Sequence, residues 1–150
     1  MAIDTLVRLV RANATVTRRL SAQLSADHGL TFSAYEALVI LGRAPGSRMR
    51  RIDLANSLLL TASGVTRLLD GLERDGFIAR EDCAGDRRVS YAVLTEAGQA
   101  KKRQASKSHI KQIRELLGAV YDDEDLAQLA ALLDRLPGVD PAAGASEIDL

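Results

Sequence analysis

The sequence predicts a mainly α fold with one small β-hairpin wing, and three observations predict it. Apolar residues recur at three- and four-residue steps over most of the chain. Two short runs, Phe77 to Glu81 and Arg88 to Leu94, read as strands by composition and alternation. Gly29, Pro45-Gly46, Gly76 and Pro137-Gly138 divide the periodic stretches at helix-length intervals.

Taken in order, Ile3 to about His28 is a long helix, with Leu6, Val10, Thr17, Leu20 and Leu24 on one stripe, Val7 and Ala14 widening it, and Gly29 as its stop. A narrow apolar seam this long, placed before any globular core, suits packing against a second chain; packing within its own chain is the alternative. The next helix opens at Thr31 to Glu36, where Ser33 and Glu36 have capping-box spacing and Thr31 is the other candidate cap. Tyr35, Leu38, Val39, Leu41 and Ala44 form its buried side, and Pro45-Gly46 ends it. A basic connector, Ser47 to Arg51, leads into a short helix, Ile52 to Leu58, with Arg50 where a capping hydroxyl is expected. Thr61 caps the helix from Ala62 to about Arg74; Val65, Leu68, Leu69 and Leu72 share one arc, and Ser63, Arg67, Asp70 and Arg74 lie opposite with Thr66 at the flank. The two strands follow, with Val89, Tyr91 and Val93 on one face and a loop from Cys83 to Arg87 between them. Thr95 caps a second long helix, Glu96 to about Ala119, and Asp122-Asp123-Glu124 starts a last one whose stripe runs from Leu126 to Leu136. The remainder to Leu150 is small, acidic and expected to be disordered.

Bulk composition agrees with an aliphatic core: 47% of residues are hydrophobic, 3% aromatic, and there is no Trp. No apolar run approaches the roughly 20 residues that span a bilayer, and no signal-peptide pattern is present, so a cytoplasmic protein without membrane contact is expected. The single Cys, at position 83, and two His make neither a disulfide nor a persuasive metal site, and no cofactor motif is found. The net charge of zero hides an asymmetry. Arg43 to Lys111 holds 14 Lys+Arg against 8 Asp+Glu, whereas Gln112 to Leu150 holds 2 against 9. One basic, anion-binding region within a neutral protein is the reading. Short helix, turn, second helix and basic-tipped hairpin, from Leu54 to Thr95, is the order of a winged helix-turn-helix, which lays one helix in a DNA groove.

With these elements placed, the chain resembles the MarR family of bacterial transcription regulators over about Ile3 to Leu136. The wing carries Asp86, Arg88, Leu94 and Thr95 of the family's D-x-R-x-x-x-V-x-L-T pattern, with Ala92 where Val is usual. Leu54-Ala55, Val65-Thr66-Arg67, Leu72-Glu73 and Gly76-Phe77-Ile78-Ala79-Arg80 match the helix-turn-helix and the entry to the wing; Gly29-Leu30-Thr31 and Leu38 fit the second helix. The resemblance implies a homodimer paired through residues 1–30 and 96–136 around a DNA-binding lobe, 31–95, with residues 137–150 outside it. It also implies a recognition helix in the major groove, a wing in the minor groove, and release of a repressor by a small-molecule effector or by oxidation.

The expected double-stranded-DNA contacts follow. Ser63, Thr66 and Arg67 are short polar or bidentate groups early in the recognition helix and suit base edges. Asp70, acidic on the same face, ends that contact, and Arg74 stands at i, i+4 from it, the spacing of an ion pair. Arg88 suits a narrow minor groove, Arg87 a phosphate, and Asp86 orients a neighbouring arginine or the turn. Arg48, Arg50 and Arg51 are either a solvated loop or phosphate contacts that also satisfy the open helix start; Arg80 is a further phosphate contact or a strand-edge charge. Leu24, His28, Phe32 and Tyr35 are core by default and an effector pocket otherwise. Cys83 reads as an incidental surface thiol rather than a sensor. No nucleophile elbow, phosphate loop or metal spacing supports an enzyme. The remaining rivals are a winged-helix protein-interaction module that never binds DNA, and an activator of the same family.

Overall fold

The computed structural model describes residues 1–58, 60–83 and 85–139, with only the backbone at Ala62, Asp86, Arg87 and Arg88. The wing-loop position 84 and the tail from residue 140, expected to be disordered, lie outside the described residues. The elements are α1 (Ala2–His28), α2 (Phe32–Arg43), a 3₁₀ turn (Pro45–Ser47), β1 (Arg48–Arg50), α3 (Arg51–Ser57), α4 (Ala62–Arg74), β2 (Ile78–Cys83), β3 (Asp86–Leu94), α5 (Glu96–Gly118) and α6 (Asp123–Leu133). The chain forms two compact units, Met1–Ala105 and a second from Ser106 onward, and the division falls within α5 rather than at its start.

In the first unit, α1 stops at Gly29, whose φ of 66° is left-handed, and the Gly29 and Leu30 amides donate back to Ser25 and Leu24 at 3.0 and 3.2 Å. The cap of α2 is Thr31, which accepts from the Ala34 amide at 3.1 Å; Ser33 does not serve. Both residues fit a local cap, and only the backbone direction at Thr31, extended at φ −73° and ψ 160°, separates them. The last third of α1, through Leu20 and Leu24, is buried, whereas Ile3, Leu6, Val7, Leu9 and Val10 of its first half are exposed. The core is aliphatic, as expected: Leu24, Leu38, Leu41, Leu54 and Leu69 are its largest fully buried side chains, each contributing about 1.5–3 kcal/mol by leaving water.

The sheet has three strands, not two. Its order is β1-β3-β2, antiparallel throughout, so the hairpin partner β3 is central. Arg48-Met49-Arg50 was expected to be a connector; two arginines in three residues carry no strand signal, and pairing with β3 overrides the local preference. The hairpin strands are also longer than expected, reaching Cys83 and starting at Asp86, with an irregularity between Asp82 and Cys83. Val89, Tyr91 and Val93 do share a face, but it is the partly exposed one; the core side carries Ala92 and Leu94, opposite Met49 and Ile78. Ala92, the departure from the family pattern, is fully buried.

Helix α4 ends in a left-handed Gly76 (φ 76°), and the Phe77 amide reaches back to Leu72 at 2.9 Å. Thr95 then joins the wing to α5. Its hydroxyl donates to the Gly76 carbonyl at 2.6 Å and accepts from the Gly98 amide at 3.0 Å, and its own amide donates to Phe77 at 3.1 Å. In the second unit, Asp122 caps α6 by accepting from the Asp125 amide at 2.9 Å. The helix ends at Leu133, short of the expected Leu136, and leaves Leu129 and Leu132 exposed.

Candidate nucleic-acid interface

The recognition-helix candidate α4 is positioned from both ends and one side. Thr61 accepts from the Gly64 amide at 3.2 Å at its start. Val65, Leu69 and Leu72 are buried, and that packing turns Ser63, Thr66, Arg67, Asp70 and Arg74 outward, all exposed. Arg67 makes no ion pair with any other described side chain, so its full charge and its planar donor fork stand free on that face.

The other arginines are placed differently from one another. Arg51 is mostly buried. Its side chain is 17% exposed, donates to Glu73 and lies 3.7 Å from Asp70, so it ties the start of α3 to α4. It is therefore the least accessible of the phosphate-contact candidates, at 17% exposed against 44% for Arg48, 51% for Arg50 and 54% for Arg80. The i, i+4 pairing of Asp70 with Arg74 is also not formed, since Arg74 turns to Asp75 at 3.4 Å and Asp70 faces Arg51. Arg50, at the N-cap of α3, makes no capping bond and instead holds Asp53 through two hydrogen bonds of 2.6 and 3.0 Å. That hydrogen bond and the charge of Asp53 raise the Arg50 pKa further above its ordinary value. Arg48 lies 4.2 Å over the Tyr91 ring and meets Glu81 at 3.2 Å. Because Arg50 and Glu81 both register with Tyr91, Arg48, Arg50, Tyr91 and Glu81 occupy one face of the sheet. Arg80 stands opposite Ala92 on the other face and pairs with Asp82 at 3.1 Å. Arg50, Arg51, Ile52, Val89 and Ser90 line an open cleft of about 250 Å³ where α3 meets β3.

At the wing tip, Asp86 registers with Cys83 and begins β3, followed directly by Arg87 and Arg88; the side chains of these three lie outside the described residues. The effector-pocket candidates sit at the α1–α2 junction. Leu24 is fully buried in the core, Phe32 and Tyr35 pack against it, and His28 is half-buried in the last turn of α1. Sequence reasoning missed the partners, Glu73, Asp53, Glu81 and Tyr91. The i, i+3 spacing of Arg50 and Asp53 was a usable signal; Arg51 and Glu73, 22 residues apart, gave none.

A MarR-family sequence profile matches residues 28–89. The "HTH-type transcriptional repressor YetL" of Bacillus subtilis (strain 168) is 32% identical over 114 residues, covering 74% of this chain and 68% of that protein. The chain belongs to the MarR family. Among solved structures, AbsC, a MarR family transcriptional regulator from Streptomyces coelicolor, is 30% identical with a TM-score of 0.78, covering 94% of this chain and 90% of that one. Sco3205, a MarR family transcriptional regulator from the same organism solved in complex with DNA, is 28% identical with a TM-score of 0.80, covering 89% and 84%. Membership makes this MarR protein a transcriptional regulator and not an enzyme. Among its described residues no helix is long and apolar enough to cross a membrane.

Proposed function

We propose that this MarR protein is a homodimeric repressor that binds a pseudopalindromic operator in duplex DNA. The observation that carries the reading is the outward face of α4, where burial of Val65, Leu69 and Leu72 turns out Ser63, Thr66 and Arg67, the last without an ion pair among the described residues. Arg67 suits the paired acceptors of guanine, and the hydroxyls suit neighbouring edges or phosphates. Arg48, Arg50 and Arg80 face the flanking backbone, Arg87 a further phosphate and Arg88 the minor groove, with Asp86 orienting them. The cleft beside Ile52, part apolar and part cationic, matches the sugar-phosphate chain. A second copy is supported by α1 and α6, each of which leaves an apolar stripe uncovered, Leu6 and Val10 on one and Leu129 and Leu132 on the other. Two identical units on one duplex require half-sites about one helical turn apart. The repressor role is supported by the relative that bears that name. Response to a small-molecule effector is assigned to the α1–α2 junction at Leu24, His28, Phe32 and Tyr35.

The test is a gel-shift titration with the duplex that the protein selects from its own genome. Wild type shifts it as one discrete complex, and Arg88→Ala weakens binding by about 1–3 kcal/mol. Unchanged affinity takes Arg88 out of the interface, and failure to shift any duplex overturns the reading.

A further inference from the structure

Three arginines of the proposed interface arrive with their charge already answered. Arg48 meets Glu81 at 3.2 Å, Arg50 meets Asp53 at 2.6 Å and Arg80 meets Asp82 at 3.1 Å, and all six side chains are between 43% and 60% exposed. Ion pairs this exposed add little to stability. What they alter is the field the surface presents. One pair spans the sheet: Arg48 starts on edge strand β1, crosses central β3 along the Tyr91 ring and reaches Glu81 on the opposite edge strand β2. Arg67, on the base-reading face, has no such partner among the described residues.

We infer that Asp53, Glu81 and Asp82 are specificity-determining residues, built-in counterions that suppress binding to DNA of arbitrary sequence. The inference rests on the DNA-binding reading above. Non-specific affinity comes almost wholly from phosphate attraction and the release of condensed counterions. An arginine compensated by its own carboxylate contributes little of either, and the carboxylate repels an approaching phosphate. On the right sequence the base contacts of Arg67 and its neighbours fix the register, so phosphates meet the remaining N–H groups of Arg48, Arg50 and Arg80 and are held off the paired carboxylates. On any other sequence the register varies, and phosphates fall beside Asp53, Glu81 and Asp82 as often as beside the arginines. The repulsion therefore falls mainly on the wrong DNA.

The test uses the full chain, as wild type and as the triple variant Asp53→Asn, Glu81→Gln, Asp82→Asn. Fluorescence anisotropy follows binding to a random-sequence duplex and to the duplex selected by the wild type, across a potassium chloride series, with thermal melting in parallel. The expected result is severalfold tighter binding of the random duplex and a log–log salt slope steeper by up to about three units, one for each freed arginine. The selected duplex gains less, so the ratio between them narrows, while the melting temperature stays close to wild type. Unchanged slope and affinity on the random duplex, or equal gains on both duplexes, overturns the inference while leaving DNA binding intact. If wild type binds neither duplex, the underlying reading falls and the inference falls with it. Glu81→Gln alone, remote from any helix start, repeats the comparison should Asp53→Asn loosen α3.

Discussion

Replacing Gly98 by Ala tests the joint between the wing and α5. In a free helix the change stabilises, by up to about 1 kcal/mol. Here the new Cβ would run into the Phe77 carbonyl oxygen and stand 2.9 Å from the Phe77 carbonyl carbon and 2.6 Å from Leu94 Cδ1. Two of those atoms are backbone, and they cannot swing aside as a side chain would. The Phe77 oxygen is moreover held by the Thr95 amide at 3.1 Å, and Thr95 is held by Gly76 at 2.6 Å. Relief therefore requires moving the first turn of α5 off the base of the wing. Overpacking of a well-filled site costs about 1–3 kcal/mol and sometimes more, and a backbone clash belongs at the upper end. Set against the helix gain, the net loss is about 2 kcal/mol, which for a chain of this length lowers the melting temperature by roughly 4–8 °C. Calorimetry at equal protein concentration reads this directly. Gly118→Ala, in the same helix with nothing within 4 Å of its added Cβ, is the control and is expected to be neutral or slightly stabilising. A Gly98→Ala protein as stable as Gly118→Ala refutes the close-packing argument.

Two further outcomes follow from the same reasoning. Glu73→Gln keeps the shape of the α3–α4 tie and an acceptor oxygen but removes its charge, so that among the described residues Asp70, at 3.7 Å, is the carboxylate left beside Arg51, 17% exposed; urea denaturation should show a loss of about 1–3 kcal/mol, accompanied by weaker DNA binding, and a variant unchanged in both contradicts the positioning role of Arg51. Val10→Asp places a carboxylate in the uncovered stripe of α1, where Val10 is 58% exposed; sedimentation should show dissociation to monomer, and a dimer unchanged by the substitution removes this stripe from the subunit contact.

Helix identities and stops were legible because their signals are local. Gly29 and Thr61 act within one turn of themselves, and the apolar arc of α4 needs only its own period. The features that were not legible depend on partners distant in the chain. Strand β1 exists because β3 offers it a ladder, so no propensity scale marks Arg48-Met49-Arg50 as extended. The alternation of β3 gave two faces without saying which is inward; the packing of Ala92 and Leu94 decides it. Arg51 looked like its neighbours Arg48 and Arg50 until Glu73 was brought beside it. Residue type and spacing thus indicated a basic surface, and among the described side chains the fold separates Arg67, without an ion pair, from Arg51, a structural tie, and from Arg48, Arg50 and Arg80, each beside a carboxylate.

The central claim is that α4 reads sequence through Arg67. The direct measurement is the affinity of wild type and Arg67→Ala for the selected duplex and for its single-base-pair variants, at one fixed salt concentration. The account predicts a loss of about 1–3 kcal/mol for Arg67→Ala together with relaxed discrimination at one position in each half-site. A uniform loss across all variants, with discrimination preserved at every position, would contradict it.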